Sequence, residues 1–157
     1  MQEQKRKGTA MLTAYFDGAC EPVNPGGHAA WGALLLRGEQ EIWSAKGYCG
    51  FGPAMSNNVA EYSGVCAVLE RLQQETEPCL VRGDSKLVIM QLTGNWKIRG
   101  GLYVPYYRKA KALYEPIKES VSFEWVCREG NGICDVLSKG VLKEKGIHFR
   151  IQREEVA

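Results

Sequence analysis

From Met11 to Asp17 the chain alternates, with Leu12, Ala14 and Phe16 on one side and Thr13, Tyr15 and Asp17 on the other. A period of two predicts a strand with one buried face. EPVNPGG (21–27) is dense in turn residues, after which HAAWGALLLRG and EIWSAKGYCG read as two more strands joined through Gly38, Glu39 and Gln40. From Asn58 the period changes: Tyr62, Val65, Cys66, Leu69 and Leu72 recur at helical spacing, predicting a helix to Gln74. CLVRG (79–83) suits a short buried strand, and Asp84 opens a helical segment, SKLVIMQL, that closes near Gly94. A further helix follows Pro105 and reaches about Glu119. In VSFEWVC (121–127), Val121, Phe123, Trp125 and Cys127 mark one buried face of a strand; REGNG breaks it, and a last helix covers about Ile133 to Lys145. The polar residues 1–9 read as frayed or disordered, and the tail from Gly146 adds a short strand or lies over the surface.

Three strands in a meander, then helix, strand, helices, strand and helix predict a mixed sheet with helices on both faces, an α/β fold. With 157 residues, of which 45% are hydrophobic and 24% charged, the chain suits one domain with a real core. There is no run of 18 apolar residues and no signal peptide, so a cytoplasmic protein without membrane contact is expected. Six cysteines without a CxxC pair read as small hydrophobes, not as a disulfide framework.

Against this pattern four acids stand out. Asp17, Glu61, Asp84 and Asp135 each sit inside or at the end of an apolar stretch, where an ionised carboxylate needs a partner or a raised pKa. Each has an ordinary explanation: a turn at Asp17–Gly18, capping-box spacing from Asn58 to Glu61, an N-cap at Asp84, a first-turn acid at Asp135. Together they fall on elements that a mixed sheet brings to one edge, where α/β sites form. Carboxylates gathered there would repel by roughly 4 kcal/mol per pair at 4 Å in an effective dielectric of about 20. A divalent cation reverses that sign.

The net charge of +2 decides little, but Asn95 to Tyr114 holds Lys97, Arg99, Arg108, Lys109 and Lys111 and no acid, interleaved with Trp96, Tyr103, Tyr106, Tyr107 and Tyr114. The window fits a nucleic-acid groove and, equally, an amphipathic helix whose tyrosines pack inward.

The motifs YFDGACEPVNPGG, SNNVAEYSGVCAVLE, GDSKLVIMQLTGNWKIRG and WVCREGNGICDVLSK, in this order over about Ala10 to Gly140, resemble the type 1 ribonucleases H. The resemblance implies a three-layer α/β/α fold around a five-stranded mixed sheet whose first three strands form an antiparallel meander, with residues 10–145 as the catalytic domain and 146–157 as a C-terminal tail. It implies that Asp17, Glu61, Asp84 and Asp135 are the catalytic carboxylates and hold two Mg²⁺ ions, with Mn²⁺ as a substitute. Oxygen ligands without histidine suit these hard cations. The implied reaction cuts the RNA strand of RNA/DNA hybrids and leaves 5′-phosphate and 3′-hydroxyl ends.

By the same resemblance, Asn24, Gly26, Gly27, Asn57 and Asn58 touch the minor groove, where the 2′-hydroxyl distinguishes RNA from DNA. Trp96, Lys97 and Arg99 grip the strands by stacking and phosphate contact. The chain departs from many members in its loop before Asp135, REGNG, which has no histidine. Glu129 and Asn131 stand there as partial substitutes, and turnover is what this loop puts in question. His28 and His148 read as structural or surface residues. The basic region after NWKIRGG is short, so a modest and strongly salt-sensitive hybrid affinity is expected, and without a separate hybrid-binding domain the expectation is a stand-alone, monomeric processing enzyme. Duplex RNA is a further partner to consider. The competing expectations are a catalytically weak member that binds hybrid or duplex RNA, and a nuclease of the same fold acting on DNA junctions or transposon ends.

Overall fold

The computed structural model describes residues 11–150. Its strands are β1 (Leu12–Glu21), β2 (His28–Arg37), β3 (Gln40–Phe51), β4 (Cys79–Gly83) and β5 (Val121–Trp125). Its helices are α1 (Asn57–Leu72), α2 (Lys86–Leu92), α3 (Val104–Tyr114) and α4 (Gly132–Glu144), with 3₁₀ segments at Glu115–Ser120 and Arg128–Asn131. One sheet runs in the order β3-β2-β1-β4-β5. β1 to β3 form the antiparallel meander, and β4 and β5 join in parallel. The expected fraying of residues 1–9, and the tail beyond 150, lie outside the described residues.

The main core lies between the sheet and α1 to α3. Leu12, Ala14 and Phe16 of β1 and Ala33 and Leu35 of β2 meet Val59, Tyr62, Val65 and Leu69 of α1. Helix α4 covers the opposite face, and β1 and β2 show why both helices dock at one level. Asp17 pairs with Gly32 across the strands, and Gly18 with Trp31, so Gly18 and Gly32 point to opposite faces. A Cβ on Gly18 would lie 2.4 Å from the backbone of Ala60 and Glu61, and one on Gly32 would lie 2.7 Å from the Cys134 carbonyl and the Leu137 Cβ. Missing side chains let α1 and α4 close on the strands beside Asp17.

Several expectations need correction. β1 continues four residues past Asp17, so Asp17 lies within the strand; what ends near it is the pairing with β4, which spans only Leu12–Phe16. The last helix of the basic window stops at Tyr114 and tightens to 3₁₀, because Pro116 has no N–H to continue the ladder. The face expected to be buried on β5 fades along the strand: Val121 is buried and Phe123 half-buried, but Trp125 and Cys127 are exposed. β5 is the sheet edge.

The expected caps also fall to other residues. Ser56 caps α1, its Oγ accepting from Val59 N, and Ser85 caps α2, accepting from Val88 N. Neither Asn58–Glu61 nor Asp84 does that work. Cys20, Cys66, Cys79 and Cys134 are buried, Cys49 is half-buried, Cys127 is exposed, and all are free thiols. Among the described tail residues there is no strand; Ile147 and Phe149 pack against Ala19, Ala30, Val141 and Leu142. No described helix is long and apolar enough to cross a membrane.

Candidate active site

Past Phe16, β1 has no strand neighbour on the β4 side among the described residues, and the sheet opens into a cleft of about 530 Å³. Antiparallel and parallel pairing meet on β1, the kind of position at which α/β sheets leave a crevice. Asp17 enters the cleft from β1, Glu61 from the second turn of α1, Asp84 from the residue after β4, and Asp135 from the first turn of α4.

Oxygens of Asp17, Glu61 and Asp84 lie within 4.8 Å of one another. Asp135 lines the same cleft but is drawn aside, its Oδ2 3.3 Å from Lys139 Nζ. Asp17 and Glu61 are each only 4% exposed, too little for water to screen them. Burial, then the charges of Asp84 and Asp135, push the Asp17 carboxyl up to about 8. Burial, then Asp17 and Asp84, lift Glu61 well above the usual range, although the Gly18 N–H works the other way. Asp84 is also raised, mainly by burial, with Arg128 beside it opposing the shift. Trp125 Nε1 donates to the Asp84 carbonyl at 3.1 Å and holds the turn that carries this acid.

One atom bears on what the cluster is for. Glu61 Oε1 is buried without a hydrogen-bond partner among the described residues, which costs about 1–3 kcal/mol unless something else satisfies it. Three clustered carboxylates from separate segments, one of which has a buried unpartnered oxygen, form a donor set suited to a hard divalent cation and unsuited to Zn²⁺ or a soft metal.

The other residues singled out in the sequence divide by position. Asn24 and Asn57 line the cleft, and the Asn24 Oδ1 accepts from Asn57 N at 2.8 Å, tying the loop after β1 to the start of α1. Gly26, at a φ of 109°, donates its N–H to the Met55 carbonyl, and a Cβ on Gly27 would lie 2.4 Å from the Val23 carbonyl. Asn58 sits half-buried on α1, outside the cleft lining. Trp96, Lys97 and Arg99 are exposed between α2 and α3, also away from the cleft. Of the two loop residues, Glu129 is exposed and does not line the cleft. Asn131 is 2% exposed, and its amide donates to the Phe16 carbonyl at 2.7 Å, pinning the start of α4 to β1. The sequence reading missed Ser85, Trp125, Arg128, Lys139 and Arg150 in the cleft lining. Lys139, four residues after Asp135 on one helix, was the one with a visible signal.

Fold and cleft together define a three-layer α/β protein with a buried carboxylate cluster at the sheet's opening. The family model described as "Reverse transcriptase-like" matches residues 15–141. A ribonuclease H of Chlorobium phaeobacteroides is 32% identical over 145 residues, covering 84% of this chain and 95% of that protein. A bifunctional protein of Mycobacterium tuberculosis is 32% identical over 120 residues, 76% of this chain. The chain spans about a third of the length of such mycobacterial relatives, 32% in each case. Among solved structures, the ribonuclease H1 of Halobacterium salinarum superimposes with a TM-score of 0.74 at 30% identity, over 85% of this chain and 98% of that one. The chain belongs to the ribonuclease H-like family.

Proposed function

We propose that this chain is an endoribonuclease that hydrolyses the RNA strand of RNA/DNA hybrids. The catalytic unit spans about residues 10–145, and the divalent cations it uses are held by Asp17, Glu61 and Asp84 with Asp135 at their side. The observation that carries this reading is the cluster of three acids with Glu61 Oε1 buried and unpartnered. A protein that only binds nucleic acid gains nothing from negative charge facing phosphate, whereas a phosphodiesterase that uses cations requires it. The family relatives named ribonuclease H support the substrate class.

When bound, two Mg²⁺ or Mn²⁺ ions supply Lewis acidity that activates water and stabilises the leaving 3′ oxygen, giving 5′-phosphate and 3′-hydroxyl ends. The protein's own groups do the rest. The four carboxylates come from three helix starts or strand ends and one strand interior, all braced by core packing, so their geometry is set before substrate arrives. Asn24 and Asn57, fixed to each other, offer amide groups at the cleft mouth where a minor groove presents 2′-hydroxyls. Gly26 and Gly27 keep the backbone there free of side chains. Trp96, Lys97 and Arg99 present an aromatic face and two cations outside the cleft, where a strand leaving the site would meet them.

The test is cleavage of end-labelled RNA/DNA hybrid, duplex RNA and duplex DNA in Mg²⁺ or Mn²⁺. The reading requires that the RNA strand of the hybrid is cut and that duplex DNA survives. Binding of hybrid without any cleavage in either metal would instead establish a non-catalytic member of the fold.

A further inference from the structure

The described end of the chain forms part of the cleft. After α4, the segment 147–150 turns back across the sheet, and Phe149 and Arg150 line the same cleft as the carboxylates. Its hold is specific. Ile147 and Phe149 pack on Ala19 and Ala30 of the sheet and Val141 and Leu142 of α4. Arg150 donates from its backbone N (3.0 Å) and its Nε (3.1 Å) to Glu21 Oε1, and from Nη2 to the Cys20 carbonyl at 2.9 Å.

These bonds use one edge of the guanidinium and leave the other. Nη1 has no hydrogen-bond partner among the described residues, and the side chain is 44% exposed. Three cations line the cleft besides its acids: Arg128, Lys139 and Arg150. Arg128 acts on Asp84, and Lys139 is paired with Asp135. Arg150 is paired with Glu21, at the far end of β1, four residues beyond Asp17. A planar guanidinium held on one edge, and without a described partner on the other, is shaped to take a phosphate, and its position beyond the carboxylates suits a neighbouring phosphate on the bound strand.

We propose that the segment 147–150 is a wall of the substrate cleft and that Arg150 holds a backbone phosphate of the hybrid; this rests on the functional reading above. The carboxylate cluster repels a polyanion until cations neutralise it, so a fixed cation at the rim assists the approach of substrate. Because the contact is to phosphate, its signature is a salt dependence and not a change in sequence preference.

The test compares the parent with Arg150→Gln and Arg150→Lys, using a fluorescent hybrid read by anisotropy in the inactive Asp84→Asn background between about 50 and 200 mM salt. Arg150→Gln should weaken binding about five-fold and flatten the slope of log K against log salt by about 0.9, the loss of one phosphate contact. Arg150→Lys should keep the slope. In the active protein, KM should rise about five-fold for Arg150→Gln while kcat stays within about two-fold, since the contact is made equally before and during reaction. Lys118→Gln, on the 3₁₀ segment outside the cleft lining, is the control and should change nothing. Weakened binding with an unchanged slope would make Arg150 a brace for the tail and overturn the proposal, as would binding identical to the parent. If the parent itself does not bind hybrid, the functional reading fails and takes this inference with it; if the parent binds and only the slope result fails, the inference falls by itself.

Discussion

At the scale of single residues, the acids make a prediction about the metal-free protein. Asp17 has its folded carboxyl raised from an ordinary 3.8 to about 8. A group raised in this direction favours folding below its unfolded pKa, and the contribution disappears as pH climbs through the folded value. In EDTA the protein should therefore lose stability progressively between about pH 4 and pH 8. Asp17→Asn should flatten that dependence, and Mg²⁺ should restore stability to the parent at pH 8 but not to Asp17→Asn, all read by thermal melting. A parent whose melting temperature is level across this range would contradict the burial argument. Each acid was legible in the sequence as a costly charge in an apolar run. What the sequence left open was the competing explanation, since spacing alone permits Asp84 to cap a helix; the structure gives that task to Ser85 and gives the α1 cap to Ser56.

At the scale of elements, the site exists because two helices dock against the sheet at one level. Gly18 and Gly32 are the points of closest approach, and alanine at either would press on backbone atoms at 2.4–2.7 Å. Gly18→Ala and Gly32→Ala should each destabilise the protein by about 2 kcal/mol in urea unfolding and lower hybrid cleavage by at least about ten-fold, because α1 carries Glu61 and α4 carries Asp135. Retention of parental stability in both would show that the docking is looser than these contacts indicate. Neither glycine carried a periodic signal, so neither was legible beyond the general rule that glycine within a strand marks close approach. The basic window illustrates the opposite difficulty. Its tyrosines read equally as stacking platforms or core residues. Tyr103 proves buried, with its ring stacked 5.7 Å from Tyr62, and Tyr114 packs edge-on to Phe123 at 5.3 Å. Lys109 and Lys111 meanwhile pair with Glu70 and Glu115. Only neighbours distant in sequence could decide between the two readings. Trp96 stays exposed, and Trp96→Ala should weaken hybrid binding by about 1–3 kcal/mol in a fluorescence titration, with kcat unchanged.

At the scale of the whole molecule, the strand order places β1 between an antiparallel and a parallel neighbour, and the cleft follows from where the parallel one stops. The order of strands and helices along the chain was readable from periodicity, and so was the mixed sheet. The lining supplied by Arg128, Lys139 and Arg150 was not, because it depends on how loops and the chain's end fold back over the cleft. The central claim is that the buried acids are a cation site for cutting RNA, and the most direct measurement is the single-turnover rate of hybrid cleavage against Mg²⁺ concentration for the parent, Asp17→Asn and Glu61→Gln. The account predicts a rate that rises from nothing in EDTA to saturation in the parent, and that falls by about three orders of magnitude in both variants at the same Mg²⁺ concentration. Cleavage that persists in EDTA, or that survives either substitution at the parental rate, would contradict it.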